Sequence, residues 1–172
     1  THFTQMWDRL AEGYHCPIIQ NNFELPAYRL LGNRDASDIH GRINFITRLN
    51  CKFYDYANTH TSFYIHDIQY LSACYGLDAW AEPSYWYLYK YALSVPAIPD
   101  FAYNLTRIIR SIYGKNKKVL ALDLDNTLWG GVIGDDGQEG IEIGHETSMG
   151  QAYEELQGYL KQQKKIGVLL TV

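Results

Sequence analysis

Two aspartates one residue apart, Asp123 and Asp125, follow directly on the apolar run Val119-Leu120-Ala121-Leu122, and Asn126-Thr127 come next. On an extended segment, side chains at i and i+2 project to the same side. At the carboxyl end of a buried parallel strand, that side opens on the crevice where α/β sheets bind ligands. Two carboxylates this close repel each other unless a cation lies beside them. Magnesium suits the place, being a hard cation that takes one or two carboxylates and completes its shell with water and substrate phosphate. The chemistry this implies is metal-assisted phosphoryl transfer. Asp123 would attack phosphorus to give an aspartyl-phosphate. Asp125 would protonate the leaving oxygen and later deprotonate the attacking water. Asn126 and Thr127 would either stabilise the turn or contact the phosphate.

Two other readings compete. An EF-hand calcium loop also opens with D-x-D, but it needs glycine at its sixth position and a bidentate glutamate at its twelfth. Counted from Asp123, those positions hold Leu128 and Gly134. A pair of surface aspartates in a turn is the other alternative, and the four apolar residues leading into Asp123 argue against it.

The elements around the pair must hold it in place. The uninterrupted apolar run 119–122 predicts a strand buried on both faces. The glycine-rich stretch after it, with alternation flanking Asp136-Gly137, predicts a β-hairpin over 129–144. A helix from about Ser148 to Lys164 and a strand over 168–172 complete a β–hairpin–α–β unit. The polar segment Lys115-Asn116-Lys117-Lys118 marks a boundary, so the expected domains are 1–114 and 115–172.

Upstream, strand and helix signals alternate, the pattern of a parallel α/β fold. A helix is expected over 4–12, a strand over 16–20, and a helix N-capped by Ser37 with Ile39, Ile43, Ile46 and Leu49 on one stripe. A strand over 61–67 precedes a short helix ending near Gly76. The aromatic segment 84–93 reads as a helix whose Trp86, Tyr89 or Lys90, and Leu93 share one face, with core packing as its expected role. Its other tyrosines remain candidates for a partner surface. A longer helix starts near Pro99, with Phe101, Leu105, Ile108, Ile109 and Ile112 as its apolar face, and ends at Gly114.

Composition excludes several classes. A formal net charge of −4 gives no basic field to track a phosphate backbone, which argues against nucleic-acid binding. No apolar run approaches a membrane span and the first residues carry no signal-peptide pattern, so the expectation is a cytoplasmic protein with no membrane partner. Cys16, Cys51 and Cys74 form no C-x-x-C pair and are expected as buried, reduced thiols. His66-Asp67, a His–carboxylate neighbour pair among the six histidines, is read as structural.

The stretch Leu122-Asp123-Leu124-Asp125-Asn126-Thr127-Leu128-Trp129-Gly130-Gly131-Val132-Ile133-Gly134-Asp135-Asp136-Gly137 resembles the signature of the FkbH-like branch of the haloacid dehalogenase superfamily. Gly140-Ile141-Glu142-Ile143-Gly144 and the helix from Gly150 to Leu160 are similar to that branch as well. Gln20-Asn21-Asn22-Phe23-Glu24, Arg29-Leu30-Leu31-Gly32-Asn33 and the run Trp86 to Ser94 resemble its appended N-terminal domain. The resemblance implies a flavodoxin- or SGNH-hydrolase-like parallel-sheet domain, followed by the first part of a haloacid-dehalogenase Rossmann-like domain. It implies a magnesium-dependent enzyme acting on a phosphorylated three-carbon or sugar-like substrate. Better-understood members resemble a phosphatase and glyceryl transferase that loads a glyceryl unit onto an acyl carrier protein, and others resemble enzymes of surface-polysaccharide assembly. Carried over, Asp123 is nucleophile and magnesium ligand, and Asp125 is acid/base and binds the metal through its backbone carbonyl. The segment 129–144 becomes a flap over the site.

The resemblance also implies a Ser or Thr after the second strand, a later Lys or Arg, and a further acidic ligand, none of which this sequence supplies. Thr171 lies within the second strand and is not assigned the hydroxyl role. The expectation is therefore a truncated catalytic domain with little or no turnover by the 172 residues alone, and self-association through the incomplete sheet edge. An SGNH-type esterase would need a nucleophilic serine and a D-x-x-H pair, and no D-x-x-H occurs. Asn21 or Asn22 could donate to an oxyanion, though capping a loop is the better reading. A non-catalytic module that binds a carrier protein or a glycan precursor stays open as the alternative to an enzyme.

Overall fold

A computed structural model describes residues 2–172; Thr1, with which the first expected domain begins, lies outside the described residues. The backbone contacts divide the chain between Gly114 and Lys115. In the first unit the order is α1 (His2–Tyr14), β1 (Ile18–Asn21), a 3-10 turn (Gly32–Ala36), α2 (Arg42–Thr59), β2 (Phe63–His66), α3 (Ile68–Tyr75), α4 (Leu77–Trp80), α5 (Pro83–Tyr89), a second 3-10 turn (Val95–Ala97) and α6 (Ile98–Ile112). The second unit holds β3 (Val119–Ala121), α7 (Ile133–Gly140), α8 (Ser148–Lys165) and β4 (Leu169–Thr171).

Each unit is α/β with a small parallel sheet. β1 pairs with β2 from Ile18↔Phe63 to Asn21↔His66, and β3 pairs with β4 from Val119↔Leu169 to Ala121↔Thr171. Parallel neighbours need a crossover, and α2 and α8 supply the helices of the two crossovers.

The first core of unit one is built mainly of aromatic residues. Trp7, Phe53 and Phe63 are buried, with Phe3, Phe23 and Tyr56 packed against them. Trp7 meets Phe53 at 4.9 Å and 82°, and Phe63 at 4.8 Å and 63°, the edge-to-face geometry that aromatic quadrupoles favour. Trp7 also donates its indole N–H to Gln20 Oε1 at 2.8 Å, so nothing polar is stranded by its burial. A second cluster gathers Ile68, Trp80 and Ala97, with Leu93 and Phe101 against them. Phe101, Leu105, Ile108 and Ile112 form the half-buried stripe of α6, while Ile109 faces outward.

The start of α2 departs from expectation. Ser37 does not cap it; the helix begins at Arg42, and Asp35 reaches across from the 3-10 turn instead. Its fully buried carboxylate accepts from Ile43 N at 2.7 Å and from Leu31 N at 3.2 Å. Those N–H donors, Ile43 first, hold the Asp35 carboxyl below the ordinary carboxylate range. The approach is so close that a Cβ on Gly41 would lie 2.0 Å from the Asp35 carbonyl oxygen.

Four further expectations need correction. The cysteines are free and exposed, not buried. On α2, Asn50 and Phe53 take the inward face, and the helical rotation leaves Cys51 outside. The aromatic helix α5 does not face the core: it has no buried residue and Trp86 is 52% exposed. It ends after seven residues because Lys90 turns left-handed at φ 60°, which leaves Leu93 to reach the second cluster from outside the helix. β3 is not buried on both faces. Among the described residues it has one neighbour, β4, and Val119 is 50% exposed. Finally, the tip of the 129–144 segment is helical, not a two-residue turn. Asp136 Oδ2 accepts from Val132 N at 2.8 Å and starts α7 at Ile133, while Gly137 breaks the helix at φ 67°, ψ 178°. A single antiparallel pair, Gly130 with Glu142, closes the loop.

Candidate active site

Leu122 N still donates to Thr171 O at 2.8 Å, so Asp123 is the first residue clear of the β3–β4 ladder. The chain then makes one tight turn: Thr127 N and Leu128 N both donate to Leu124 O, at 3.2 and 2.8 Å. Asp123, Asp125, Asn126 and Thr127 therefore lie together in the single turn at the carboxyl end of β3. Asp123 is exposed, and its Oδ1 accepts only its neighbour's N–H, Leu124 N, at 3.0 Å. Asp125 is half-buried, and its Oδ1 accepts twice, from Trp129 Nε1 at 3.1 Å and Ile133 N at 3.1 Å.

Asn126 explains the turn. It sits at φ 53°, a left-handed conformation that asparagine tolerates better than most side chains. Its backbone N–H donates to Gly131 O at 3.2 Å, and its Oδ1 accepts from Gly131 N at 2.9 Å. This reciprocal clamp uses the amide oxygen for the turn. Thr127 contributes its backbone N–H to the same turn.

The loop from 129 to 144 stands on α8. Gly130 N and O pair with Glu142 O and N at 2.9 and 2.8 Å. A Cβ on Gly130 would come within 3.2 Å of both Glu142 and the Tyr153 ring, so glycine lets the base of the loop lie against the helix. Glu142 accepts from the Thr147 hydroxyl, and Thr147 caps α8 by accepting from Gly150 N at 2.9 Å. Gly150, Tyr153, Gln157 and Leu160 form the inner stripe of α8. From that stripe Gln157 Nε2 donates to Leu128 O at 2.8 Å and ties the helix to the turn.

The donor chemistry of the turn fits magnesium. Among the described residues no group of three His, Cys, Asp or Glu side chains gathers to cage an ion. Magnesium asks for less, since one or two carboxylates with water and phosphate complete its shell. Asp123 offers an exposed carboxylate, and Asp125 keeps Oδ2 without a protein hydrogen bond among the described residues.

The carboxyl ends of β1 and β2 carry the other polar cluster, and it is closed except at His66 Nε2, which is buried without a hydrogen-bond partner among the described residues. Asn22 Nδ2 donates to Tyr54 Oη and to Asp67 Oδ1, both at 2.7 Å, and its Oδ1 accepts from Gln69 N at 3.0 Å. Asn50 joins Phe23 N, Phe23 O and Gln69 Oε1 at 2.7–3.0 Å. His66, 0% exposed, bonds Asn21 Oδ1 through Nδ1 at 3.0 Å and meets the Phe101 ring at 4.7 Å. Asn22 is thus a loop cap. His66 is structural, and burial pushes its pKa down.

Trp129 and Gln157 escaped the reading of the sequence. Trp129 had a usable signal, since it stands four residues after Asp125 across one turn of chain. Gln157 had none, because its partner is a backbone carbonyl 29 residues away.

Among the described residues, no helix is long and apolar enough to cross a membrane. Residues 2–110 match the family model of the FkbH N-terminal domain. The fold is similar to a crystal structure of the N-terminal part of a Bacteroides fragilis protein that contains a phosphatase domain, complexed with Mg. The two superpose with a TM-score of 0.86 and 31% sequence identity over 98% of this chain, which spans 45% of that one. No curated protein matches. With the family model covering well over half of its residues, the chain belongs to the FkbH family through its N-terminal domain.

Proposed function

We propose that residues 115–172 carry the nucleophile and flap of a magnesium-dependent haloacid-dehalogenase-type phosphotransferase site. The observation that carries this reading is the Asp123–Asp125 turn at the carboxyl end of β3, under a loop closed by Gly130 and Glu142. The likeness to a phosphatase-domain structure complexed with Mg adds to it. Asp123 attacks phosphorus; the Asp123 oxygen–phosphorus bond forms as the bond to the leaving oxygen breaks, and Asp125 gives that oxygen its proton. Asp125 then takes a proton from water, whose oxygen displaces Asp123 and releases phosphate. Magnesium, when bound by Asp123 and the Asp125 backbone carbonyl, neutralises charge on the phosphoryl group.

The proposed substrate is a phosphorylated three-carbon or sugar-like molecule, with a glyceryl unit passed to an acyl carrier protein or the phosphatase step serving surface-polysaccharide assembly, in the cytoplasm. Self-association through the exposed edge of the β3–β4 sheet belongs to the same proposal. A second reading, a binding module for a carrier protein or glycan precursor, is favoured by the exposed aromatic side chains of α5, Trp86, Tyr87 and Tyr89.

The test is phosphate release by the full-length protein with and without Mg2+, and with Asp123→Asn. Loss by about 10³-fold or more in the variant is expected. Unchanged release in Asp123→Asn excludes the nucleophile, and no release by the unaltered protein favours the binding module.

A further inference from the structure

We infer that Trp129 is a positioning residue that ties the orientation of the Asp125 carboxylate to the closed flap. The inference rests on the reading of Asp125 as acid/base.

Asp125 Oδ1 accepts two hydrogen bonds, from the Trp129 indole N–H at 3.1 Å and the Ile133 backbone N–H at 3.1 Å. Both donors belong to the loop over the turn, one at its root and the other at the first residue of α7. A carboxylate held through one oxygen by two donors from different directions has its plane and rotamer defined. The other oxygen, Oδ2, is left to carry the proton. Proton transfer depends on that oxygen meeting the leaving oxygen within hydrogen-bond reach.

The donors are themselves fixed by the flap. Trp129 is followed by Gly130, whose pairing with Glu142 closes the loop, and Ile133 follows Val132, which is held by Asp136. Opening the loop would move both N–H groups together and release Asp125. The carboxylate is therefore aimed only while the flap is shut over a substrate, and proton donation is coupled to the exclusion of water.

The indole contributes something packing alone would not. Phenylalanine fills most of the same space and removes only the N–H, so Trp129→Phe separates the hydrogen bond from the hydrophobic contact. The separation shows in the leaving group. An alkyl phosphate expels a poor leaving group and needs a well-placed acid, whereas p-nitrophenyl phosphate expels a stable phenolate and hardly needs one.

In the full-length protein, Trp129→Phe is expected to lower kcat/KM for glycerol phosphate roughly 10- to 100-fold, part of the 10²–10⁴-fold that a general acid supplies. The same variant should leave kcat/KM for p-nitrophenyl phosphate within about twofold, because kcat/KM reports the steps up to loss of the leaving group and not the later hydrolysis in which Asp125 acts as base. Equal losses of kcat/KM on both esters, or none on either, overturn the positioning role while leaving Asp123 as nucleophile. Loss of the nucleophile reading is seen separately, as Asp123→Asn retaining turnover of both. A second measurement needs no turnover. The Trp129 indole proton, assigned by its disappearance in Trp129→Phe, should exchange with solvent about tenfold faster or more in Asp125→Ala, as an N–H freed from a charge-assisted bond does. An indole proton indifferent to that change overturns the inference whatever the activity.

Discussion

Both units end a parallel strand pair in a set of polar side chains, yet they use the position in opposite ways. At the carboxyl ends of β1 and β2, Asn22, Asn50 and His66 are buried and bonded to one another's loops and to α3. At the carboxyl end of β3, Asp123 is exposed and Asp125 keeps one oxygen free, while the supporting bonds come from the backbone and indole of the loop above. The first arrangement lends its hydrogen bonds to stability; the second leaves acceptors open for a ligand. The strand-end crevice of an α/β sheet is a place where chemistry can happen, and whether it does is decided by which polar atoms the surrounding loops leave unoccupied.

A glycine from each unit offers the largest test. On Gly41 a Cβ would meet the Asp35 backbone at 2.0 Å, with no side chain able to swing aside. Gly41→Ala is expected to cost about 4 kcal/mol or more, at the upper end for overpacking, and to unfold the first unit in urea at a far lower midpoint. Gly131 has φ 94°, and a Cβ there would meet Asp136 Oδ2 at 2.8 Å, the end of a side chain. Gly131→Ala is expected to cost about 1–3 kcal/mol, the strain of a left-handed residue, and to loosen the flap. Equal effects of the two would erase the distinction between a packed frame and a movable lid.

Next in size is a pair of polar substitutions. Asn50→Ala strands Phe23 N, Phe23 O and Gln69 Oε1, so a loss of about 3 kcal/mol is expected from unsatisfied buried groups. Asp123→Asn removes a charge that makes one local bond, and its effect on stability should stay within about 0.5 kcal/mol. Urea unfolding of both variants checks the contrast. A third pair concerns caps: Asp67→Ala and Thr147→Ala each remove an N-cap, from α3 and α8, at about 1 kcal/mol apiece. Asp67→Ala should cost the more, because Asn22 Nδ2 also loses a partner. Thermal unfolding followed by circular dichroism ranks them.

These contrasts also show what the sequence could and could not reveal. Asp123 and Asp125 were legible because their chemistry is local: two like residues, one spacing, one apolar run. The helices α1, α3, α6 and α8 were legible in outline, α6 from the period of its apolar stripe and α3 and α6 also from the stop signals Gly76 and Gly114. The cap of α2 was not, since Asp35 and Ile43 meet only after the chain turns at Gly41. The flap tip misled because Asp136-Gly137 is a hairpin signal in isolation. Here the Asp136 side chain is taken by Val132 N, which starts a helix that Gly137 then breaks. The outward face of α5 was invisible for a related reason: helical spacing says which residues share a face, while the left-handed turn at Lys90 decides where that face points.

The smallest expected effect is a pH dependence confined to the first unit. Burial pushes the pKa of His66 down, opposed in part by the charge of Asp67. The folded state therefore holds His66 neutral at a pH where the unfolded chain has already bound a proton. Between the ordinary value of about 6.5 and the lower folded value, unfolding takes up a proton, so stability falls as pH falls through that window and is level above it. With one proton at stake, the slope cannot exceed about 1.4 kcal/mol per pH unit. The other five histidines are exposed, and the second unit's one histidine, His145, lies at the surface. Urea unfolding at pH 7.5 and 5.5, followed through the buried Trp7 and Trp80 of the first unit, should show the loss. His66→Asn keeps an N–H donor for Asn21 and cannot titrate, so its profile should be flat over the same range. A loss of stability on acidification that persists in His66→Asn would assign the pH dependence elsewhere and remove the charge-sensitive element from the closed cluster.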